Sequence, residues 1–236
     1  MKSIWKKACA FAAVAALCLF AAGCGSTDNS NNAKASQEKK EITLGVTPGP
    51  QAEIAEEVKK EAAKQGITIR IMEFSDYVTP DIALANKEID INSYQHKPFM
   101  DNLVNEKGLK IASIGNTILA PIGLYSHKIK SLDEIKDGDT VAVPNDPTNG
   151  ARGILLLQQA GLIKVKDGVQ YPTATDVAEN PKHLQIKELE AAQIPRSLDD
   201  VTFAAINTNF AMDAGLDPVH DAILREDKTS PYANIL

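Results

Sequence analysis

The sequence predicts an α/β fold of two lobes. From Glu41 onward, short runs of branched apolar residues alternate with amphipathic stretches of helical period, the pattern of mostly parallel sheets flanked by helices. About 195 residues follow Lys40, a length that suits two sheets of about four or five strands better than one large sheet. That stretch holds no cysteine, so its core must be stable without disulfides.

The elements are expected in the following order. ITLGV, Ile42 to Val46, is a strand. The helix after it repeats Ile54, Val58 and Ala62 at helical spacing and stops at Gly66. ITIRI places Ile67, Ile69 and Ile71 on one face of a second strand. Thr79 and Pro80 open a short helix as N-cap and first-turn proline. Asp90 to Asn92 is a short extended piece, Pro98 opens a helix ending at Gly108, and Ile118 to Tyr125 forms a long apolar run. Ser131 and Glu134 have the spacing of a capping box. TVAVP (Thr140 to Pro144) is a strand, and Gly150 to Ala160 a helix closed by Gly161. Leu184 to Leu189 and Val201 to Ile206 complete the strands.

The amino-terminal 40 residues are of another kind. Met1 to Lys7 carries three lysines, Ala8 to Ala22 is apolar, and Ala21, Ala22, Gly23 and Cys24 follow as a small-residue cleavage site. The apolar run is shorter than the roughly 18 residues of a spanning helix. Residues 1–23 therefore read as a secretory signal. Cys24 after Ala-Ala-Gly resembles a bacterial lipobox cysteine, although Ala21 stands where leucine is usual, and plain cleavage is the alternative. Residues 24–40 lack branched apolar and aromatic side chains and read as a flexible tether. The formal charge is −6, and losing the three lysines of the signal takes it to −9. Nucleic acid is thereby disfavoured as a partner, and the expected membrane link is lipid on Cys24.

Enzymatic constellations are missing. The sequence has no glycine-rich phosphate loop, no G-x-S-x-G elbow, no H-E-x-x-H and no paired C-x-x-C. His96, His127, His183 and His220 are scattered, so neither a metal nor a cofactor is expected. A hydrolase built on His96 with Asp81 or Asp101 lacks an activated nucleophile beside it.

Polar and aromatic residues instead gather just after strands, where an α/β sheet binds ligands. EFSDY supplies Phe74 and Tyr77, and NSYQHKPF supplies Tyr94 and His96. PNDPTNGAR supplies Asn145, Asn149 and Arg152, AAINTNF supplies Asn207 and Asn209, and SPYANI supplies Asn234. Asn145, Asn149 and Asn207 read as turn and cap residues.

The ordered set LGVTPGP, EFSDY, NSYQHKPFMD, PNDPTNGAR, AAINTNFA and SPYANI, spread over Ile42 to Leu236, resembles the NlpA/MetQ family of methionine-binding lipoproteins. The resemblance implies a two-lobed periplasmic-binding-protein fold. In it a cleft closes on methionine, and the closed form is presented to the permease and ATPase subunits of an ABC importer. It implies lobe 1 at 41–122, completed by about 212–236, and lobe 2 at 123–211. The ligand contacts it implies are Phe74, Tyr77, Tyr94, His96, Arg152, Asn209 and Asn234. Arg152 would present its planar fork to a carboxylate, and Asn209 and Asn234 would bind ammonium or carboxylate through opposite ends of their amides. Phe74, Tyr77 and Tyr94 would line a slot for the thioether. As a cleft residue rather than a core one, Arg152 is expected to matter for binding and little for the fold.

Two departures from the family pattern stand out: Asp81 where asparagine is common, and Tyr94 where phenylalanine is. A buried Tyr94 hydroxyl needs a partner and would shift ligand choice toward something more polar. The family also continues beyond the position of Leu236, so a truncated first lobe is expected. Rival readings are the same fold with D-methionine, methionine sulfoxide or a methionyl dipeptide as ligand, and a structural or adhesive lipoprotein without a transport role.

Overall fold

A computed structural model describes residues 41–236; the expected signal peptide, tether and Cys24 lie outside the described residues. The first elements are β1 (Glu41–Val46), α1 (Pro50–Lys64), β2 (Thr68–Glu73), α2 (Thr79–Ala85), β3 (Ile91–Ser93) and α3 (Lys97–Lys107). Then come β4 (Asn116–Leu119), β5 (Gly123–Tyr125), β6 (Thr140–Pro144), α4 (Pro147–Gln159), β7 (Lys164–Val165), β8 (Val177–Glu179) and β9 (Gln185–Leu189). The last are β10 (Phe203–Ile206), α5 (Thr208–Asp213), β11 (Leu224–Arg225) and β12 (Ala233–Ile235).

Two sheets organise these elements. In the first, β1 lies between β2 and β3, all parallel. In the second the order is β11-β5-β10-β6-β9. There β10, β6 and β9 run parallel, and β5 is antiparallel to both β10 and β11. A pair β12-β4 and a small hairpin β7-β8 complete the strands.

The larger core surrounds the five-stranded sheet. Val141, Val143, Phe203 and Ala205 on its strands pack with Ile154, Leu156 and Leu157 of α4. The three-stranded sheet has a smaller core of Leu44, Val46, Ala55 and Ile69. Each strand of β6 and β10 is buried along nearly its whole length, as parallel strands covered by helices on both faces must be.

Several local expectations change. The run Ile118 to Tyr125 is broken, because Pro121 has no N–H to continue a ladder. Its two halves join different partners, β4 pairing with β12 and β5 with the five-stranded sheet. Residues 120–122 thus connect the two. Leu224–Arg225 also belongs to the five-stranded sheet, so the chain leaves that sheet only after Arg225.

Helix α4 begins at Pro147 rather than Gly150. Asp146 caps it by accepting from the backbone N–H of Thr148 and Asn149, and Pro147 brings its fixed φ to the first turn. Thr79 does not cap α2. The N-cap position is Val78, which has no side-chain cap bond, and Asp76 Oδ1 just before it accepts from the N–H groups of Val78 and Thr79, both at 2.7 Å. On α1, Ala52, Ala55 and Ala62 pack against the sheet and Gln51 is buried, while Ile54 and Val58 are 44% and 46% exposed.

Candidate functional site

The carboxyl ends of the strands meet at a cavity of about 330 Å³ of atom-free space, part of it open to solvent. Contacts from both sheets close over it. The Tyr77 hydroxyl donates to Asn209 Oδ1 at 2.5 Å, and the rings of Tyr77 and Phe210 lie 4.8 Å apart. Gly49, at φ 88°, lets the start of α1 lie against Asn209. A Cβ there would stand 3.1 Å from the Asn209 backbone.

One wall is aromatic. Tyr77, Tyr94 and Phe99 pack with centroid separations of 5.8 to 6.4 Å, the two contacts of Phe99 being edge-on. The Tyr94 hydroxyl donates to the Tyr77 carbonyl at 2.6 Å. It is thus satisfied within the protein, and the expected pull toward a more polar ligand loses its physical basis. Burial raises the pKa of both tyrosines well above the ordinary value, so both remain neutral donors.

Opposite stands a polar hub on Asn149 Oδ1, which accepts from His96 Nε2 at 3.1 Å, Arg152 Nη1 at 3.2 Å and Asn207 Nδ2 at 2.9 Å. Asn149 Nδ2 donates to Asp146, the α4 cap, which fixes the orientation of the amide. His96 is the N-cap of α3, its Nδ1 accepting from Phe99 N–H at 3.2 Å. With Nδ1 an acceptor, the ring proton sits on Nε2. Desolvation, followed by the charge of Arg152, lowers the His96 pKa to about 3, so the ring is neutral.

Arg152 is 3% exposed. Its Nε and Nη2 donate to the two oxygens of Glu226 at 2.9 and 2.6 Å. Nη2 also donates to the Ala120 carbonyl at 3.0 Å, and the Tyr232 ring centroid lies 4.6 Å from Cζ. Four of the five guanidinium N–H donors are therefore engaged, and one on Nη1 is left. The fork expected to grip a ligand carboxylate bidentately grips Glu226 instead. Arg152 is also core rather than a free cleft side chain, because removing it would strand a nearly buried carboxylate.

Of the seven expected contacts, Tyr77, Tyr94, His96, Arg152, Asn209 and Asn234 line the cavity. Phe74 does not; its ring lies close to Gly45 of β1. Asn234 gives its Nδ2 to the Tyr94 carbonyl at 2.7 Å, leaving Oδ1 as its remaining polar atom.

Three buried side-chain atoms in the lining have no hydrogen-bond partner: Asn209 Nδ2, a donor, and Gln51 Oε1 and Gln95 Oε1, both acceptors. Gln51 was not singled out in the sequence. It sits in the first turn of α1, directly after Pro50 at the carboxyl end of β1, and that position is the signal that would have found it. Gln95 sits beside His96 and donates through Nε2 to the fully buried Asp81 at 2.6 Å. Burial raises the Asp81 pKa, while bonds from Asn92 and Gln95 oppose the rise.

Among the described residues, no cluster of three or more His, Cys, Asp or Glu side chains is arranged to hold a metal ion. Nor is any helix there long and apolar enough to cross a membrane.

Known proteins resemble this chain along almost all its length. The family model described as NlpA lipoprotein matches residues 42–236. The D-methionine-binding lipoprotein MetQ of Salmonella typhi is 50% identical over 232 residues, covering 96% of this chain and 83% of that protein. Its counterpart in Escherichia coli K12 is 49% identical over the same shares. Among solved structures, a nutrient binding protein from Burkholderia cenocepacia bound to methionine superposes with a TM-score of 0.80 at 48% identity, over 82% of this chain and 83% of that one. The crystal structure of the methionine binding protein MetQ gives 0.81 at 50% identity, over 84% and 82%. The α/β sheets, the interlobe cavity and these matches agree: the chain belongs to the NlpA lipoprotein family and has its two-lobed substrate-binding fold.

Proposed function

We propose that this protein captures free methionine outside the cytoplasm and delivers it to the permease and ATPase subunits of an ABC importer. The observation that carries the reading is the pairing of unmatched buried atoms on side chains that line the cavity. A donor, Asn209 Nδ2, and two acceptors, Gln51 Oε1 and Gln95 Oε1, belong to side chains that line the same space. Buried polar groups rarely stay unmatched, and an α-amino acid brings both missing partners. Its carboxylate would take Asn209 Nδ2 and the spare Arg152 Nη1–H, and its ammonium the glutamine oxygens. The rings of Tyr77, Tyr94 and Phe99 would flank the thioether, where each sulfur–ring contact is worth about 0.3 to 1.5 kcal/mol. With the Tyr94 hydroxyl turned to the Tyr77 carbonyl, that wall favours the thioether over the sulfoxide.

In this reading residues 1–23 are a signal peptide, and 24–40 a tether lipidated at Cys24 that holds the protein to the extracytoplasmic face of a cell membrane. Lobe 1 spans 41–122 and lobe 2 follows from 123, the chain returning to lobe 1 after Arg225. The protein binds and releases its ligand without turning it over. Six of the proposed contacts are Tyr77, Tyr94, His96, Arg152, Asn209 and Asn234, with Gln51 and Gln95 added and His96 acting through Asn149.

A thermal-shift panel tests the reading, because a ligand bound only by the native state raises its melting temperature by mass action. L-methionine, D-methionine, methionine sulfoxide, methionyl dipeptides and other amino acids form the panel. Selective stabilisation by methionine is expected. Stabilisation by the sulfoxide or a dipeptide alone would reassign the ligand, and none by any of them would favour a structural lipoprotein.

A further inference from the structure

Glu226 lies outside every motif that points to the cleft, yet it holds Arg152, the one arginine lining the cavity among the described residues. Its Oε1 accepts from Arg152 Nε at 2.9 Å, and its Oε2 accepts from Arg152 Nη2 at 2.6 Å and from the Ile122 backbone N–H at 3.0 Å. The Glu226 N–H in turn donates to the Ile122 carbonyl at 3.0 Å. Residue 226 therefore grips, by backbone and side chain together, the 120–122 connection between the β4-β12 pair and the five-stranded sheet. The same connection is held from the cavity side by Arg152 Nη2 on the Ala120 carbonyl and by the Thr208 hydroxyl on the Pro121 carbonyl.

We propose that Glu226 is a positioning residue for carboxylate recognition: by occupying Nε and one edge of Nη2, it fixes the Arg152 plane so that the remaining Nη1–H faces the cavity. This rests on the amino-acid reading above. A carboxylate is needed at this place. Every group facing Glu226 is a donor, and an amide would set its own N–H₂ against the guanidinium or the Ile122 N–H wherever it turned. Glu226→Gln therefore keeps the shape while freeing the Arg152 plane to rotate. The selectivity at stake is for the carboxylate alone, since the aromatic wall and the acceptor atoms lie on other residues.

The test compares L-methionine with L-methioninamide, which lacks the carboxylate charge, by titration calorimetry on wild type, E226Q and E226D, with melting curves of each. Wild type is expected to prefer methionine by at least tenfold. E226Q should lose at least tenfold in methionine affinity while methioninamide binds within about twofold of its wild-type value. E226D, which keeps the charge on a shorter arm and stands in if E226Q fails to fold, should fall between. Equal losses for both ligands would assign Glu226 to the fold alone and overturn the proposal, as would unchanged or tighter methionine binding. If wild type binds neither ligand, the amino-acid reading fails and this inference falls with it; if wild type binds both equally, only this inference fails.

Discussion

Arg152→Ala is expected to destabilise the ligand-free protein by about 3 to 5 kcal/mol, the range for removing one partner of a buried ion pair. The Arg152 and Glu226 side chains are 2% and 10% exposed, so the orphaned carboxylate could not easily rehydrate where it stands. The Ala120 carbonyl and Asn149 Oδ1 would each lose a donor, and the Tyr232 ring its cation. For a domain of this size each kcal/mol moves the midpoint by about 2 to 4 °C, so the melting temperature should fall by about 6 to 20 °C. Differential scanning calorimetry without ligand, supported by urea titration, measures it. Replacing both charges, as in R152M/E226L, should recover most of the loss, because the unpaired charge rather than the missing contact carries the cost. An R152A protein melting within 2 °C of wild type would refute this reasoning and restore Arg152 to a purely ligand-facing role.

Asn209→Leu removes the unmatched cavity donor and should weaken methionine binding by about 10- to 150-fold, from about 1.5 to 3 kcal/mol for a hydrogen bond to a charged group; calorimetric titration checks it. His96, with its pKa lowered to about 3, favours the folded state only when neutral. Stability should be full above about pH 6.5 and fall as pH drops toward 3, at up to about 1.4 kcal/mol per unit, a slope that urea titrations should find missing in His96→Asn. The raised pKa of Asp81 has the opposite sign: its neutral form favours folding below the ordinary aspartate range, and that contribution is lost as pH rises through the folded pKa. Asp81→Asn should therefore melt a few degrees higher than wild type at pH 7 and show no such gain at pH 4.

The alternation of strands and helices was legible because β1, β6 and β10 are buried runs between turn residues. Of the six expected contacts that line the cavity, five follow the ends of β2, β3, β6 and β10, and Asn234 lies in β12. The start of α4 was read three residues late, at Gly150, although the signal for it stands in the sequence. Asp146 before Pro147 is an N-cap followed by a first-turn proline, and it outweighs the glycine at 150. Phe74 was misplaced because proximity to a strand end does not decide which face a side chain takes, and its ring lies on β1. Glu226 could not be read at all, and Asn207, read as a turn or cap residue and found at the N-cap of α5, gave no sign of its bond to Asn149. Their partners, Arg152 and Asn149, are 74 and 58 residues away in sequence, and only the assembled sheets bring them together.

The central claim is that the cavity's unmatched donor and acceptors await the two charged ends of methionine. Isothermal titration of the protein with L-methionine at two temperatures tests it most directly. The account predicts saturable one-to-one binding with a negative heat-capacity change, as the thioether is buried against Tyr77, Tyr94 and Phe99. Absence of saturable heat at both temperatures, with no change in melting temperature at millimolar methionine, would contradict it.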